Sequence, residues 1–372
     1  MSSLSIAFFE PWFGGSHRAF LEAWGARTRH RLAIHALAPR HWKWRQESSA
    51  WELAREVDAA APPDVIACSG YVDLPRLYGF LPPSWACRPS LMYFHETQLT
   101  YPGGQSERDL THGFSNILSA IRADRVVFNS RFHLDEFRGA ADEVLRRLPR
   151  PTPRAALSNV LDAAEVVPPM PELSGIPVGP GGEGPLRIAF PHRLEPDKDP
   201  VAFADAVVHA ASRGATFEVE LLGGHPRKAG PKITEALARL APWLRNSEHI
   251  DDRARYLEVL GHCDLVASTA RHEFFGVAFA EAMAAGCSPL APGRLNYPAL
   301  LASYSALEAK FMRLTAALPL VAAPARGPMV QQSSSGSEPG ADASHRSHVQ
   351  PTPPPVIDGS QRSGLQRERN PR

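Results

Sequence analysis

Short apolar runs alternate along the chain with stretches whose apolar residues recur at helical spacing. In the first part, Leu4–Glu10 (LSIAFFE), Leu32–Leu37, Val65–Ser69, Ser90–Phe94 and Arg125–Asn129 have the length and composition of strands. The last two meet a polar residue at their C-terminal end, as buried parallel strands do. Between them the spacing predicts helices from about Ser16 to Arg27, with Ser16 as the cap, and over Ser49–Ala60 and Gly113–Ala123.

The second part repeats the design. Strands are predicted at Leu186–Phe190, Phe217–Leu222, Asp264–Ser268 and Ser288–Ala291. Helices are predicted at Val201–Arg213, Lys232–Leu244, Arg253–Cys263 and Gly276–Ala285, and Leu300–Leu318 is also helix-like. Such alternation implies α/β architecture: two Rossmann-like parallel sheets with helices on both faces. Ligands of such sheets bind at the carboxyl ends of the strands, so the main cleft is expected between the two halves.

Proline usage sets the expected boundaries. Of 36 prolines, nine fall between Pro149 and Pro185, and eight fall in 321–372 beside eight serines and no aromatic residue. The first cluster reads as a linker and the second as a disordered tail, because it has too little apolar surface to offset chain entropy. The expected organisation is therefore a first Rossmann-like domain over 1–148, a linker over 149–185, a second Rossmann-like domain over 186–318 and a tail over 319–372.

Charge and cysteine content narrow the function classes. Forty Lys and Arg against 39 Asp and Glu give a net charge of +1, which excludes a generally basic nucleic-acid binder and leaves only a local patch. Cys68, Cys87, Cys263 and Cys287 are far apart and form no CxxC pair, so neither a zinc ribbon nor a disulfide framework is indicated. There is no apolar stretch of about 20 residues, so no membrane span is expected. The opening MSSLSIAFFEPWFGG does not read as a signal peptide, and the expected compartment is the cytoplasm.

Five constellations carry candidate chemistry. In HEFFGVAFAEAMAAG (272–286), Glu273 precedes a helix that begins near Gly276, and Glu281 lies inside it. Free backbone N–H groups at Gly276 and Val277 would then bind an anion at the positive helix end, with Phe274 alongside. The same spacing also suits an amphipathic helix with one capping and one exposed glutamate. In PHRLEPDKDP (191–200), Arg193 and Lys198 are placed to converge on one anion, or else are simply solvated. Asp197 and Asp199 spell a metal-binding DxD, but Lys198 between them and the following Pro200 favour an N-cap aspartate. Gly14 and Gly15 make a glycine turn that admits close approach of a ligand, although many such turns serve geometry alone. His95, in FHETQ, follows a strand and so faces the expected cleft, or is packed; the stretch is not HExxH and does not imply zinc. Arg40, Trp42, Lys43, Trp44 and Arg45 interleave cations with stacking faces, as unpaired RNA bases require, or flank a core tryptophan. Arg146, Arg147, Arg150 and Arg154 form a second basic stretch that also suits a soluble helix end.

Taken together, these motifs resemble those of retaining GT-B glycosyltransferases of family 4. The set FFEPWFGGSH, PRHWKWR, FHETQLTYP, FNS, PHRLEPDKDP and HEFFGVAFAEA is similar to the tRNA-queuosine alpha-mannosyltransferase group, over residues 4 to about 300. That resemblance implies transfer of mannose from GDP-mannose, with retention, to the cyclopentenediol of queuosine in a tRNA anticodon of the tRNA-Asp type. It implies Glu273 on the sugar, Glu281 on the ribose, and Arg193 and Lys198 on the diphosphate. Gly14 and Gly15 would line the donor site, His95 would face the transferred sugar, and neither metal nor cofactor is expected. Past Tyr297-Pro298 the chain departs from the family pattern. The alternatives left open are a family 4 transferase with another donor or a glycan or lipid acceptor, and a noncatalytic sugar-nucleotide or RNA-binding protein.

Overall fold

The computed structural model describes residues 3–100, 107–169, 176, 184–223, 230–247, 250 and 252–302. Its first half is a parallel sheet of β1 (Ser5–Glu10), β2 (Arg31–Ala36), β3 (Val65–Ser69), β4 (Ser90–Phe94), β5 (Arg125–Phe128) and β6 (Glu165–Val166), in the order β2-β1-β3-β4-β5-β6. Around it lie α1 (Gly15–Arg27), α2 (Trp42–Ala54), α3 (Leu74–Phe80), α4 (Pro83–Ala86), α5 (Glu107–Arg122), α6 (Arg131–Arg147) and α7 (Arg154–Asp162). The second half is a parallel sheet of β7 (Leu186–Phe190), β8 (Phe217–Leu221), β9 (Leu244–Asn246), β10 (Leu265–Ala267) and β11 (Ser288–Leu290), in the order β11-β10-β7-β8-β9. It carries α8 (Pro200–Ser212), α9 (Pro231–Leu240), α10 (Arg253–Gly261), α11 (Val277–Ala284) and α12 (Tyr297–Ala302).

The central strands of both sheets are buried on both faces, which is why they read as apolar runs rather than as alternating ones, whereas the edge strands β2 and β6 are largely exposed. Neighbouring strand residues point to opposite faces, and β1 shows the consequence. Phe8 packs with Phe20 and Leu21 under α1, whereas Phe9 packs with Leu53, Leu77 and Trp85 on the other side. In β7, Ala189 joins Cys263 and Phe279, while Phe190 joins Phe203 and Leu221.

The strand orders place the sites. In the first sheet the chain leaves β1 toward β2 on one side and resumes at β3 on the other. In the second it leaves β7 toward β8, and β10 then pairs with β7's opposite edge. A crevice opens at the carboxyl end of the strands at each such switch. The first switch lies between Glu10 and Ser69, and the second between Phe190 and Ala267.

Several expectations are corrected. Part of the stretch read as linker belongs to the first half: α7 buries Leu157 and Leu161 in its core, and β6 pairs with β5. Three prolines in PRPTP hid a helix that begins directly after them. Helix α2 starts at Trp42, well before Ser49, so Trp42, Lys43, Trp44 and Arg45 form its first turn and Arg40 lies just before it. Ser16 does not cap α1; Gly14 holds the N-cap position and offers no side-chain acceptor. The helix predicted over Lys232–Leu244 stops at Leu240, because Pro242 cannot continue it, and Leu244 opens β9. Of the helix predicted over Leu300–Leu318, residues beyond 302 lie outside the described residues, as does the tail from 319.

Candidate functional site

At the first switch Glu10 ends β1 fully buried. A buried carboxylate needs donors on its lone pairs, and three are present. The Trp12 N–H (2.8 Å) and Ser69 Oγ (3.1 Å) donate to one oxygen, and His17 Nδ1 lies 3.0 Å from the other. The Gly14–Gly15 turn sends α1 back over the strand end, which puts His17 there. Gly15 has φ +52°, and a Cβ on Gly14 would sit 2.6 Å from Pro39 Cγ, so each glycine has a geometric reason. Burial pulls the His17 pKa down, but the charge and hydrogen bond of Glu10, with Glu96 beyond, outweigh it and leave the pKa raised.

His95 follows β4, with its ring centroid 4.1 Å from that of His17 and 4.9 Å from that of Phe20. Burial first, then the neighbouring imidazoles of His17 and His133, hold its pKa well below the usual histidine range. Its Nε2 is buried without a hydrogen-bond partner among the described residues. An orphaned polar atom of this kind costs about 1–3 kcal/mol, which a ligand hydroxyl would recover. Glu10, His17 and His95 also offer ligand atoms within 4.8 Å of one another, a group able to hold a metal ion.

At the second switch the loops after β7 and β10 are stitched together. Arg271 and His272 donate backbone N–H groups to the Asp197 carbonyl, and Thr269 Oγ1 donates to the carbonyls of Lys198 and Asp199. Lys198 Nζ therefore lies among oxygens: the His272 carbonyl at 2.8 Å, Glu273 Oε2 at 3.1 Å and Asp197 Oδ2 at 3.2 Å. Burial works against its charge, but the Glu273 and Asp197 carboxylates prevail and raise its pKa. For Glu273, burial pushes upward, yet Lys198 and further donors bring its pKa below the usual carboxylate range. Burial and then the Lys198 charge keep His192 and His272 neutral, each with a pKa lowered to about 4. Asp199 caps α8 by accepting from Ala202 N–H at 3.2 Å, as the DKDP spelling predicts. Arg193 differs from Lys198: its guanidinium is mostly exposed, 3.4 Å from Glu195.

Glu273 also settles how α11 begins. Its other oxygen accepts from Gly276 N–H at 3.1 Å and Phe275 N–H at 3.4 Å, so the expected free anion donor at Gly276 already has an acceptor. Gly276 has φ +94°, a conformation that favours glycine, and Val277 opens the helix. Within α11, Glu281 is buried and takes both arms of Arg253, at 2.6 and 3.0 Å. Phe274 faces the first half, its ring stacked on His133 with centroids 4.0 Å apart and its carbonyl accepting from Ser130 Oγ.

Arg40, just before α2, and Lys43 and Trp44 in its first turn are exposed, with Trp44 at 63%. Trp42 is half-buried against His112. Arg45 does not belong to that surface, because it is tucked in and paired with Glu52 at 2.5 Å. Arg146, Arg147 and Arg154 pair with Asp142 and Glu143, the solvated helix-end arrangement.

A family model described as tRNA-queuosine alpha-mannosyltransferase N-terminal matches residues 5–170. The tRNA-queuosine alpha-mannosyltransferase of Drosophila melanogaster is 32% identical over 305 residues, covering 79% of this chain and 80% of that protein. The chain belongs to the tRNA-queuosine alpha-mannosyltransferase family. Among solved structures, Anabaena HepE in complex with UDP superposes with a TM-score of 0.56 at 17% identity, over 79% of this chain and 82% of that one. The catalytic domain of Arabidopsis thaliana starch synthase IV, bound to ADP and acarbose, gives 0.54 at 14% identity, over 84% and 94%. These likenesses establish the GT-B fold, and this member of the tRNA-queuosine alpha-mannosyltransferase family is a glycosyltransferase.

For this family member, sequence reading singled out Lys198, Glu273 and His95 but missed residues that position them. Glu10 and His17 stood inside the FFEPWFGGSH motif without being assigned. Ser130 and His133 sit at the start of α6, directly after the FN of FNS. Arg253 carries no local signal, since its partner is 28 residues away in the sequence.

Proposed function

We propose that this glycosyltransferase moves mannose from GDP-mannose, with retention and without a metal, onto the cyclopentenediol of queuosine in the anticodon of tRNA-Asp-type acceptors in the cytoplasm. The observation that carries the reading is the Lys198–Glu273 pair, held at 3.1 Å at the switch of the second sheet. A departing GDP gains negative charge on its diphosphate. The charged ammonium of Lys198, exchanging one of its present oxygen partners for a phosphate oxygen, would counter that charge together with the exposed guanidinium of Arg193. Glu273 then offers a carboxylate to the mannose hydroxyls and Glu281 one to the ribose. His95, neutral and with an unpartnered Nε2, offers a hydrogen bond to the transferred sugar. The cation that a metal would supply is provided by Lys198. Arg40, Lys43, Trp42 and Trp44 supply charge and stacking faces for an RNA loop.

A panel of GDP-, UDP- and ADP-sugars in thermal unfolding tests the donor, because a tight ligand raises apparent stability. GDP-mannose is expected to give the largest rise; a larger rise with a UDP- or ADP-sugar overturns the donor assignment. Nucleoside mass spectrometry of tRNA from cells with and without the gene tests the acceptor. Loss of hexosylated queuosine on deletion is expected, and an unchanged profile contradicts the assignment.

A further inference from the structure

Helix α2 follows β2, which runs parallel to β1, so the helix starts at the carboxyl ends of the strands and runs back along the sheet to feed β3. Its start is fastened beside the first switch. Leu37 N–H donates to the Glu10 carbonyl at 2.9 Å, Phe13 N–H donates to the Leu37 carbonyl at 3.0 Å, and Pro39 lies against the Gly14 turn. The outer face of α2 therefore begins beside that turn and recedes from it along the helix.

Positions 44, 48, 51 and 55 succeed one another at helical spacing and so share one face. Trp44 is 63% exposed and Trp51 48%, with the small Ser48 buried between them. Arg55, at the C-cap, lies over the Trp51 ring, 4.8 Å from its centroid. At about 1.5 Å per residue the two tryptophans stand about 10 Å apart along the axis, or about three steps of a nucleic-acid strand at about 3.4 Å each. The carboxylates of α2 are engaged elsewhere: Glu47 pairs with Arg76 at 2.7 Å, and Glu52 accepts from Arg45 and Ser48, each at 2.5 Å. Arg40 and Lys43 at one end and Arg55 at the other make the face cationic, in a chain whose net charge is only +1.

Two exposed indoles with cations at both ends suit one partner chemistry: unpaired bases stack on the rings while the cations meet phosphates. A second copy of the chain fits less well, because a two-fold contact on this face sets like charges against one another. We propose that the outer face of α2 is a track for single-stranded RNA, on which Trp51 and Arg55 hold nucleotides flanking the one that enters the cleft. The proposal rests on the tRNA acceptor proposed above and extends its contact from the first turn of α2 to the far end of the helix.

Filter binding of the protein to queuosine-containing tRNA across a salt titration tests it. Trp51→Ala should raise the Kd about fivefold or more, the low end for a lost base stack, and Trp51→Phe, which keeps a ring, should stay within about threefold of wild type. Arg55→Gln should raise the Kd and flatten the slope of log K against log salt by about 0.7–0.9, the share of one phosphate contact. Both side chains are exposed, so the melting temperatures should stay near wild type, and the Kd for GDP-mannose should not move. An unmoved tRNA Kd in Trp51→Ala and Arg55→Gln, with wild-type binding intact, overturns the track. So does an unmoved Kd accompanied by dissociation of a dimer in sedimentation, which would make the face a contact between copies. A wild type that neither binds nor modifies queuosine-containing tRNA removes the acceptor reading and the track with it.

Discussion

Ser130 Oγ donates to the carbonyl of Phe274 at 2.5 Å, so the end of β5 grips the loop that carries Glu273. The same Oγ accepts from His133 N–H at 3.0 Å and caps α6, and Asn129 beside it donates to the His95 carbonyl at 2.7 Å. Two consecutive residues thereby connect the His95 side of the molecule to the Glu273 side.

Ser130→Ala removes both bonds. A lost N-cap costs about 1 kcal/mol, and a lost hydrogen bond to a buried carbonyl a similar amount. Ser130→Asp can still cap α6 but cannot donate to Phe274. The expected outcome is a lowered melting temperature for Ser130→Ala, a smaller loss for Ser130→Asp, and a fall in kcat for both. Full activity in Ser130→Asp would show that the bond to Phe274 is not needed for catalysis.

Lys198→Met leaves the Glu273 carboxylate without its cation, and transition-state charge stabilisation of this kind is worth about 10²–10³ in kcat. The stability effect has a definite pH signature. The lowered pKa of Glu273 makes its contribution present above its ordinary 4.5, and lost as pH falls through the depressed folded value. The raised pKa of Lys198 makes its contribution present below its ordinary 10.5, and lost as pH rises through the folded value. Denaturant unfolding should therefore show a wild-type advantage over Lys198→Met that is flat from about pH 6 to 9 and narrows in acid. An advantage that persists unchanged at about pH 3 would mean that packing, not charge, is responsible.

The sheets were legible from sequence because a strand buried on both faces is a plain apolar run: Val65–Ser69, Ser90–Phe94 and Leu186–Phe190 were read with the bounds they have in the structure. Helix α2 was misplaced because its first turn, WKWR, is polar and aromatic without an apolar stripe. Helix α7 was hidden by the prolines before it. In the site, the residues carried by motifs were legible, whereas through-space partners were not. His17 looks like any helix residue until the switch of the sheet sets it against Glu10, and nothing near Arg253 names Glu281 as its partner.

Arg253 and Glu281 give a separate test. Arg253→Met strips a buried carboxylate of both its donors; half exposure of the arginine keeps the loss at the low end for charged hydrogen bonds, about 1–2 kcal/mol. Because Glu281 is proposed to meet the donor ribose, KM for the sugar nucleotide should rise while KM for the tRNA holds. A rise in the tRNA KM alone would place the pair on the acceptor side.

The first turn of α2 separates an RNA contact from a structural one. Trp44→Ala and Lys43→Ala alter exposed side chains and should change stability by no more than about 0.5 kcal/mol, while weakening tRNA binding in a salt-dependent way for Lys43. Arg45→Ala should lower stability through its lost partner Glu52, with little change in the salt dependence of tRNA binding. The reverse pattern in a filter-binding salt titration would move the RNA surface elsewhere.

The most direct measurement is transfer itself. Purified protein is incubated with GDP-mannose and queuosine-containing tRNA-Asp in the presence of a chelator, and the digested nucleosides are weighed by mass spectrometry. The account predicts queuosine heavier by one hexose in the wild type and no gain with Lys198→Met. Queuosine of unchanged mass in the wild type, with GDP-mannose intact, would contradict it.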